Sequence, residues 1–361
     1  MDTPVFDLHC DAVLKLVHRN ARFRNDNPVS HVDIPKMKRG NVNGIIYSLW
    51  SDPIFKESDA VKRTQYMLDR CRTEIEECRD LIHLSENAGD LTDSVKQGKI
   101  TAILGIEGGQ SINNDLKVLE DFRRQGVRRM TLVHTASTDW AGSATDEGKT
   151  RGLSSFGHDV VHLMNDLGMI VDVAHASEKT FLDVTKVSKK PVFCTHSLAR
   201  SVFDSERLAT DDMICAIGES GGIFGLAFFP AFFPNQNREA TRLWMENIIK
   251  KLNESGQGST PEEKAHNNAA VFMDTPPPGE VAALDGLFPH IDHVISLIGE
   301  DHVGIGTDFD GMPYGPVGLE DAGKFDNLRV AMKKHGYSET RIHKILGGNV
   351  RRVLTEILPA R

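Results

Sequence analysis

Six short apolar runs in this chain stop on an imidazole or a carboxylate. "VFDLH" ends at His9 with Asp11 just beyond, "TAILGIE" at Glu107, "VRRMTLVH" at His134, "GMIVDVAH" at His175, "PVFCTH" at His196, and "VGIGTDF" carries Asp308. Singly, such residues are satisfied by a turn amide or a neighbouring hydroxyl. Together they are three carboxylates and four imidazoles without paired thiolates, a donor set that suits Zn²⁺, Mn²⁺ or Fe²⁺, with Zn²⁺ the usual choice for hydrolysis. The set is too large for one tetrahedral ion that keeps an open position. Two ions roughly 3.5–4 Å apart, sharing a carboxylate and holding a bridging hydroxide as nucleophile, would use it fully.

The elements that must position these residues follow from the pattern around them. Eight apolar, β-branched runs (5–9, 44–50, 101–107, 127–134, 168–175, 191–196, 222–229 and 303–309) alternate with amphipathic stretches at 57–79, 113–125, 155–167, 178–188 and 210–220. That alternation predicts parallel strands with helical crossovers, buried on both faces. Eight units favour a (β/α)8 TIM-like barrel with extra helices over an open doubly wound sheet, and a barrel takes its catalytic groups from the C-terminal ends of its strands. The whole of 1–361 reads as one barrel domain. Residues 234–280 interrupt the rhythm after the seventh strand with a helix at 237–252, the polar stretch "NESGQGSTPEEKAHNN" and the turn cluster "DTPPPGE". This is a surface insertion on the active face, placed where a lid would be.

Bulk properties exclude other classes. A formal charge of −9, with no dense block of Lys and Arg, leaves no footprint for nucleic acid or an anionic membrane. Five scattered cysteines do not suggest a disulfide framework, and Cys71 and Cys78 stand about 10 Å apart along one helix. The opening "MDTPVFDLHC" has no basic or apolar leader and no run approaches the ~20 apolar residues of a membrane span, which points to a cytoplasmic protein. Nor is there a "GxSxG" elbow for a serine nucleophile.

Seven motifs, "DLHCD", "GIEGGQSI", "TLVHTASTDWAGS", "VDVAHAS", "THSLARSV", "VGIGTDFDG" and "GGNVRRVL", occur in the order and at roughly the spacing of the membrane dipeptidase (renal dipeptidase) family of zinc peptidases, within the amidohydrolase superfamily. The resemblance runs from residue 5 to about 355. It implies a metal-dependent dipeptidase with two Zn²⁺ per chain, other divalent ions being compatible. His9 and Asp11 would bind one ion, His175 and His196 the other, and Glu107 would bridge them. The resemblance makes His134 the binder of the tetrahedral oxyanion, Asp308 the proton relay, and Arg207, in "SERLATDD", the residue that grips the substrate's C-terminal carboxylate. A homodimer is also implied.

Asp7 shares the spacing of His9 and Asp11 but has no metal role in the family, so it is expected to orient His9 from one pleat deeper. Spacing alone does not separate Asp308 from Asp310. Cys10 should face away from the ligands and pack as a small apolar residue. The sequence departs from the family at Cys10, Gln110 and Leu208, where Asn, His and Asn are common. None of these removes a ligand, so they bear on the substrate pocket. An alternative on the same site is hydrolysis of N-acyl (D-)amino acids, related amides or lactams; a second is a non-catalytic barrel, which the full ligand set argues against.

Overall fold

The computed structural model describes residues 3–255, 258 and 260–360. Its strands are β1 (Val5–Cys10), β2 (Val42–Trp50), β3 (Ile82–Leu84), β4 (Ile100–Glu107), β5 (Val127–Thr131), β6 (Ile170–Asp172), β7 (Phe193–Ser197), β8 (Ile223–Leu226) and β9 (Val303–Ile305). All pairings between them are parallel, and eight close a circuit β1-β2-β4-β5-β6-β7-β8-β9 and back to β1. This is the expected (β/α)8 barrel. β3 is an addition to the sequence reading: it flanks only the start of β4, with Ile82 opposite Ile100 and Leu84 opposite Ala102. From Leu104 onward that edge of β4 belongs to β5.

Several runs extend beyond the strands they predict. β5, β6 and β9 stop at Thr131, Asp172 and Ile305, leaving His134, His175 and Asp308 in the loops above. His175 and Asp308 have φ of +65°, a left-handed conformation that an extended strand cannot contain and that non-glycine residues adopt at a cost.

Two of the sheet's register shifts fall where donor residues lie. Between Asp7 and Cys10, β1 advances three residues while β2 advances two, from Ile45 to Tyr47. Between Cys194 and Ser197, β7 does the same against Phe224 and Leu226 of β8. An extra residue in a strand re-aims the side chains that follow it. Thus Phe6 and Leu8 pack in the barrel's lower interior, and yet His9, adjacent to Leu8, reaches the carboxylates at the top.

The lower interior is apolar: Phe6, Leu8, Ile46, Ile103, Ile170, Phe193 and Ile223 pack with Val350, Val353, Leu354 and Ile357 of the helix Asn349–Ile357, which closes that end. Outside the strands lie the crossover helices, several begun by a side-chain cap. Ser154, Ser177 and Thr210 accept from the backbone N–H of Gly157, Thr180 and Met213, an arrangement worth about 1 kcal/mol each.

The insertion is more ordered than a loop. Its first helix is Arg238–Ser255, and a second, Pro261–Asp274, forms where a polar loop was expected. Thr260 caps this second helix and Pro261 opens it, a start signal within "STPEEK". Gly256, Gln257 and Ser259 of the polar stretch lie outside the described residues. Ala265 packs with Phe55 and Ala60, Asp274 pairs with Arg19 at 2.5 Å, and Trp244 meets Tyr314 edge-on at 5.2 Å. No helix among the described residues is long and apolar enough to cross a membrane.

Candidate metal centre

Glu107, at the end of β4, is the hub of the upper barrel. Its Oε2 lies 3.3 Å from His9 Nε2, and its Oε1 lies 3.3 Å from His175 Nε2 and 3.4 Å from His196 Nε2. His9 Nε2 is also 3.2 Å from Asp11 Oδ2 and 3.7 Å from Asp308 Oδ1. Three groups converge tightly enough to share an ion: His9, Asp11 and Glu107; Glu107, His175 and His196; and His9, His196 and Asp308. His134 stands at the rim, 3.9 Å from Glu107 Oε1, with its ring against His175 and edge-on to Trp50.

Burial makes this collection expensive unless opposite charges meet in it. Burial and the adjacent His9 and Arg207 push the His196 imidazole well down, and burial, Arg207 and His134 do the same to His175. Both rings are thereby biased toward the neutral form. Burial also lowers His9, but the Glu107 and Asp11 carboxylates outweigh it and raise that group to about 10. Glu107 responds in kind: burial raises it, while His9 and the hydrogen bond from His175 bring it well below the carboxylate range. Asp308 is raised to about 7, first by burial, against the pull of His9.

The residues fit divalent ions on the structure's own terms. His175 and His196 turn their Nε2 atoms toward each other, 2.8 Å apart, and both toward Glu107 Oε1. Asp11 Oδ1 is buried without a hydrogen-bond donor, an arrangement costly for a carboxylate oxygen unless a cation serves it. Gly311 leaves the room: a Cβ there would stand 2.2 Å from Asp11 Oδ2 and 2.7 Å from Asp308 Oδ1.

The sequence matches the family described as membrane dipeptidase (peptidase family M19) over residues 1–360. The chain belongs to that family. Dipeptidase tcpJ of Claviceps purpurea (strain 20.1) is 31% identical over 336 residues, covering 91% of this chain and 69% of the relative. Among solved structures, dipeptidase AC, a metallopeptidase of family M19, superposes with a TM-score of 0.81 at 25% identity over 100% of both chains. A metallopeptidase from Rhodobacter sphaeroides, liganded with a phosphinate mimic of the dipeptide L-Ala-D-Ala, gives 0.79 at 26% identity over 98% of this chain and 99% of that one. This M19 chain is a metal-dependent dipeptidase.

Within the M19 site, the structure separates residues that spacing could not. Asp308 faces His9, whereas Asp310 turns away. Its carboxylate accepts from Ser30 Oγ at 2.6 Å and from the backbone of His31 at 2.7 Å, fastening residues 30–32. The expectation for Asp7 is overturned. Its carboxylate accepts from the His9 backbone N–H at 3.2 Å, the Thr307 N–H at 2.9 Å and the Thr307 hydroxyl at 2.7 Å, and so fills the bulge of β1. It does not orient the imidazole. Behind His9 Nδ1 stand Ser48 Oγ and Arg129 Nη1 instead, both at 3.2 Å.

Arg207 Nη2 reaches His175 Nε2 and the His196 carbonyl, both at 3.0 Å, while its Nη1 is buried without a partner. Cys10 faces the outer apolar core, as expected. Gln110 Nε2 donates to the Ser51 carbonyl at 2.9 Å, and Leu208 is buried. Reading the sequence missed Ser48, Arg129, Asp172 and Thr195. The signal was present in two of them: two arginines inside "VRRMT" and an acid closing "IVD", on neighbouring buried strands.

Proposed function

We propose that His9, Asp11 and Glu107 hold one Zn²⁺ and Glu107, His175 and His196 a second, and that this centre cleaves dipeptides carrying a free C-terminal carboxylate. The observation that carries the reading is Glu107, whose two carboxylate oxygens each face a different cluster of donors. Bound ions of this kind polarise a carbonyl and lower the pKa of a coordinated water to about 7.

The chain's own residues supply the rest. Arg207, with Nη1 free, takes the terminal carboxylate through charge-assisted hydrogen bonds. His134 donates to the oxygen of the scissile carbonyl as negative charge builds on it. Asp308 accepts the proton of the attacking water and passes it to the leaving amine. The test is elemental analysis with a dipeptide assay before and after chelation: about two ions per chain and activity restored by Zn²⁺ support the reading, and full activity in metal-free protein ends it.

The phosphinate mimic of L-Ala-D-Ala in the Rhodobacter sphaeroides relative favours including dipeptides with a D-configured C-terminal residue. A panel of L-L, L-D and N-acylated substrates separates that preference from a broader amide hydrolase. A homodimeric, cytoplasmic enzyme belongs to the same proposal, its dimer readable by sedimentation.

A further inference from the structure

Below the metal ligands, Asp172 at the end of β6 is fully buried and pairs with Arg129 of β5, also fully buried, at 2.7 Å. The Asp172 Oδ2 atom accepts from Arg129 Nη1 and from the hydroxyls of Thr131 and Thr195, both at 2.6 Å, while Oδ1 accepts from the backbone N–H of Thr195 and Ala174. Thr195 Oγ1 lies 2.9 Å from His196 Nδ1. The single hydroxyl proton of Thr195 goes to Asp172, so its oxygen can only accept from His196 Nδ1–H. That fixes the tautomer and leaves the Nε2 lone pair facing Glu107.

The other arm runs to His9. Arg129 Nη2 donates to Ser48 Oγ at 2.6 Å, and Ser48 Oγ is 3.2 Å from His9 Nδ1. Arg129 Nη1 is equally close to Nδ1, but a guanidinium only donates, and this nitrogen is directed to Asp172 and to Thr131 Oγ1 at 2.8 Å. Gly105 makes the space, since a Cβ there would meet Arg129 Nε at 2.3 Å.

We propose that Asp172 is a positioning residue for both ion sites at once, orienting His196 through Thr195 and His9 through Arg129 and Ser48. The proposal rests on the ligand assignment above. Of the two donor groups that contain Glu107, one holds His9 and the other His196, and both residues lie within a bulge that frees them from the regular strand direction. Hydrogen bonds to the far ring nitrogen are what hold such imidazoles in plane. One carboxylate would thereby orient an imidazole in each of the two donor groups.

The test is titration of metal-free protein with Co²⁺ alone, read by chelator competition and by the visible Co²⁺ spectrum. Thr195→Val removes one hydroxyl at nearly constant shape and should weaken one of two Co²⁺ ions by about 10–100-fold, with Thr195→Ser restoring it. Ser48→Ala should weaken the other ion. Thr131→Val is the control for the His196 arm: Thr131 donates to Asp172 at 2.6 Å and accepts from Arg129 Nη1 at 2.8 Å but touches no imidazole, so the ion that Thr195→Val weakens should stay near wild type. Equal losses in Thr195→Val and Thr131→Val would assign the network to packing alone, and no loss in Thr195→Val would overturn the brace. His196→Ala tells the two readings apart. If it loses an ion while Thr195→Val loses nothing, the ligand stands and the brace falls; if it keeps both ions, the ligand assignment and the brace fall together.

Discussion

Along β4, Ile103 and Glu107 point into the same barrel, yet they live in different media. Ile103 is packed among Phe6, Leu8, Ile46, Ile170, Phe193 and Ile223, where water is excluded and stability comes from apolar burial at about 25 cal/mol per Å². Glu107 stands in a chamber of imidazoles and carboxylates, where every buried charge costs energy until a partner or a cation meets it. Between the two halves lies the Arg129–Asp172 pair. The lower half keeps the frame rigid, and the upper half uses that rigidity to hold donors in an arrangement that would not survive in a softer protein.

That division can be broken from either side. The largest effect is expected from Glu107→Gln, which removes the carboxylate shared by two donor groups: both ions should be lost, with dipeptide hydrolysis falling to background, while the melting transition of the metal-free protein stays cooperative. Elemental analysis and calorimetry on the same sample check this, and a variant with full metal content would refute the shared role. Next comes Asp308→Asn, expected to lower kcat by about 10²–10⁴ with the metals retained. If Asp310→Asn gave that pattern instead, the relay would belong to Asp310, whose carboxylate in the structure fastens residues 30–32 and faces Lys15 at 3.8 Å.

Phe193→Ala attacks the other half. Phe193 is fully buried, and its truncation should cost about 3–5 kcal/mol of stability, measured by denaturant unfolding, while kcat of the folded fraction changes little. A large loss of kcat at unchanged stability would mean that the halves are not separable. The smallest effect sharpens the upper half. Arg207→Met should reduce the preference for a free dipeptide over its C-terminal amide by roughly 10²-fold, the worth of one or two charge-assisted hydrogen bonds. Ions should remain bound. A variant that keeps the wild-type preference would move the gripping role to another group.

Much of this was legible in the sequence because it depends on residue type and local period. The eight runs became the eight barrel strands, and an imidazole or carboxylate at the end of six of them marked the rim. The alternation of strand and helix is written in local hydrophobicity, and ligand chemistry in the side chains themselves. β3 escaped because its three residues, Ile82–Leu84, pair with just the first three residues of β4; a strand so short has no period of its own. The helix Pro261–Asp274 escaped because its polar faces read as loop, although its Thr260 cap was present.

What the tertiary structure alone decided lies in the bulges and in the barrel's closure. A strict period of two puts Asp7 on the face of His9, but the extra residue in β1 turns Asp7 to the backbone of His9 and Thr307. No local pattern announces a bulge, because it is set by the register of the neighbouring strand. In the same way Asp308 and Asp310 are equivalent in spacing and both left-handed in backbone, and the packing of residues 30–32 against one of them tells which faces His9. The sequence by itself determined which side chains are available and the order in which strands present them. Only closure of the barrel, which brings residues 9, 107, 175 and 196 within a few ångströms, decided which of them meet, since contacts so distant along the chain depend on how the strands pair and not on any local preference.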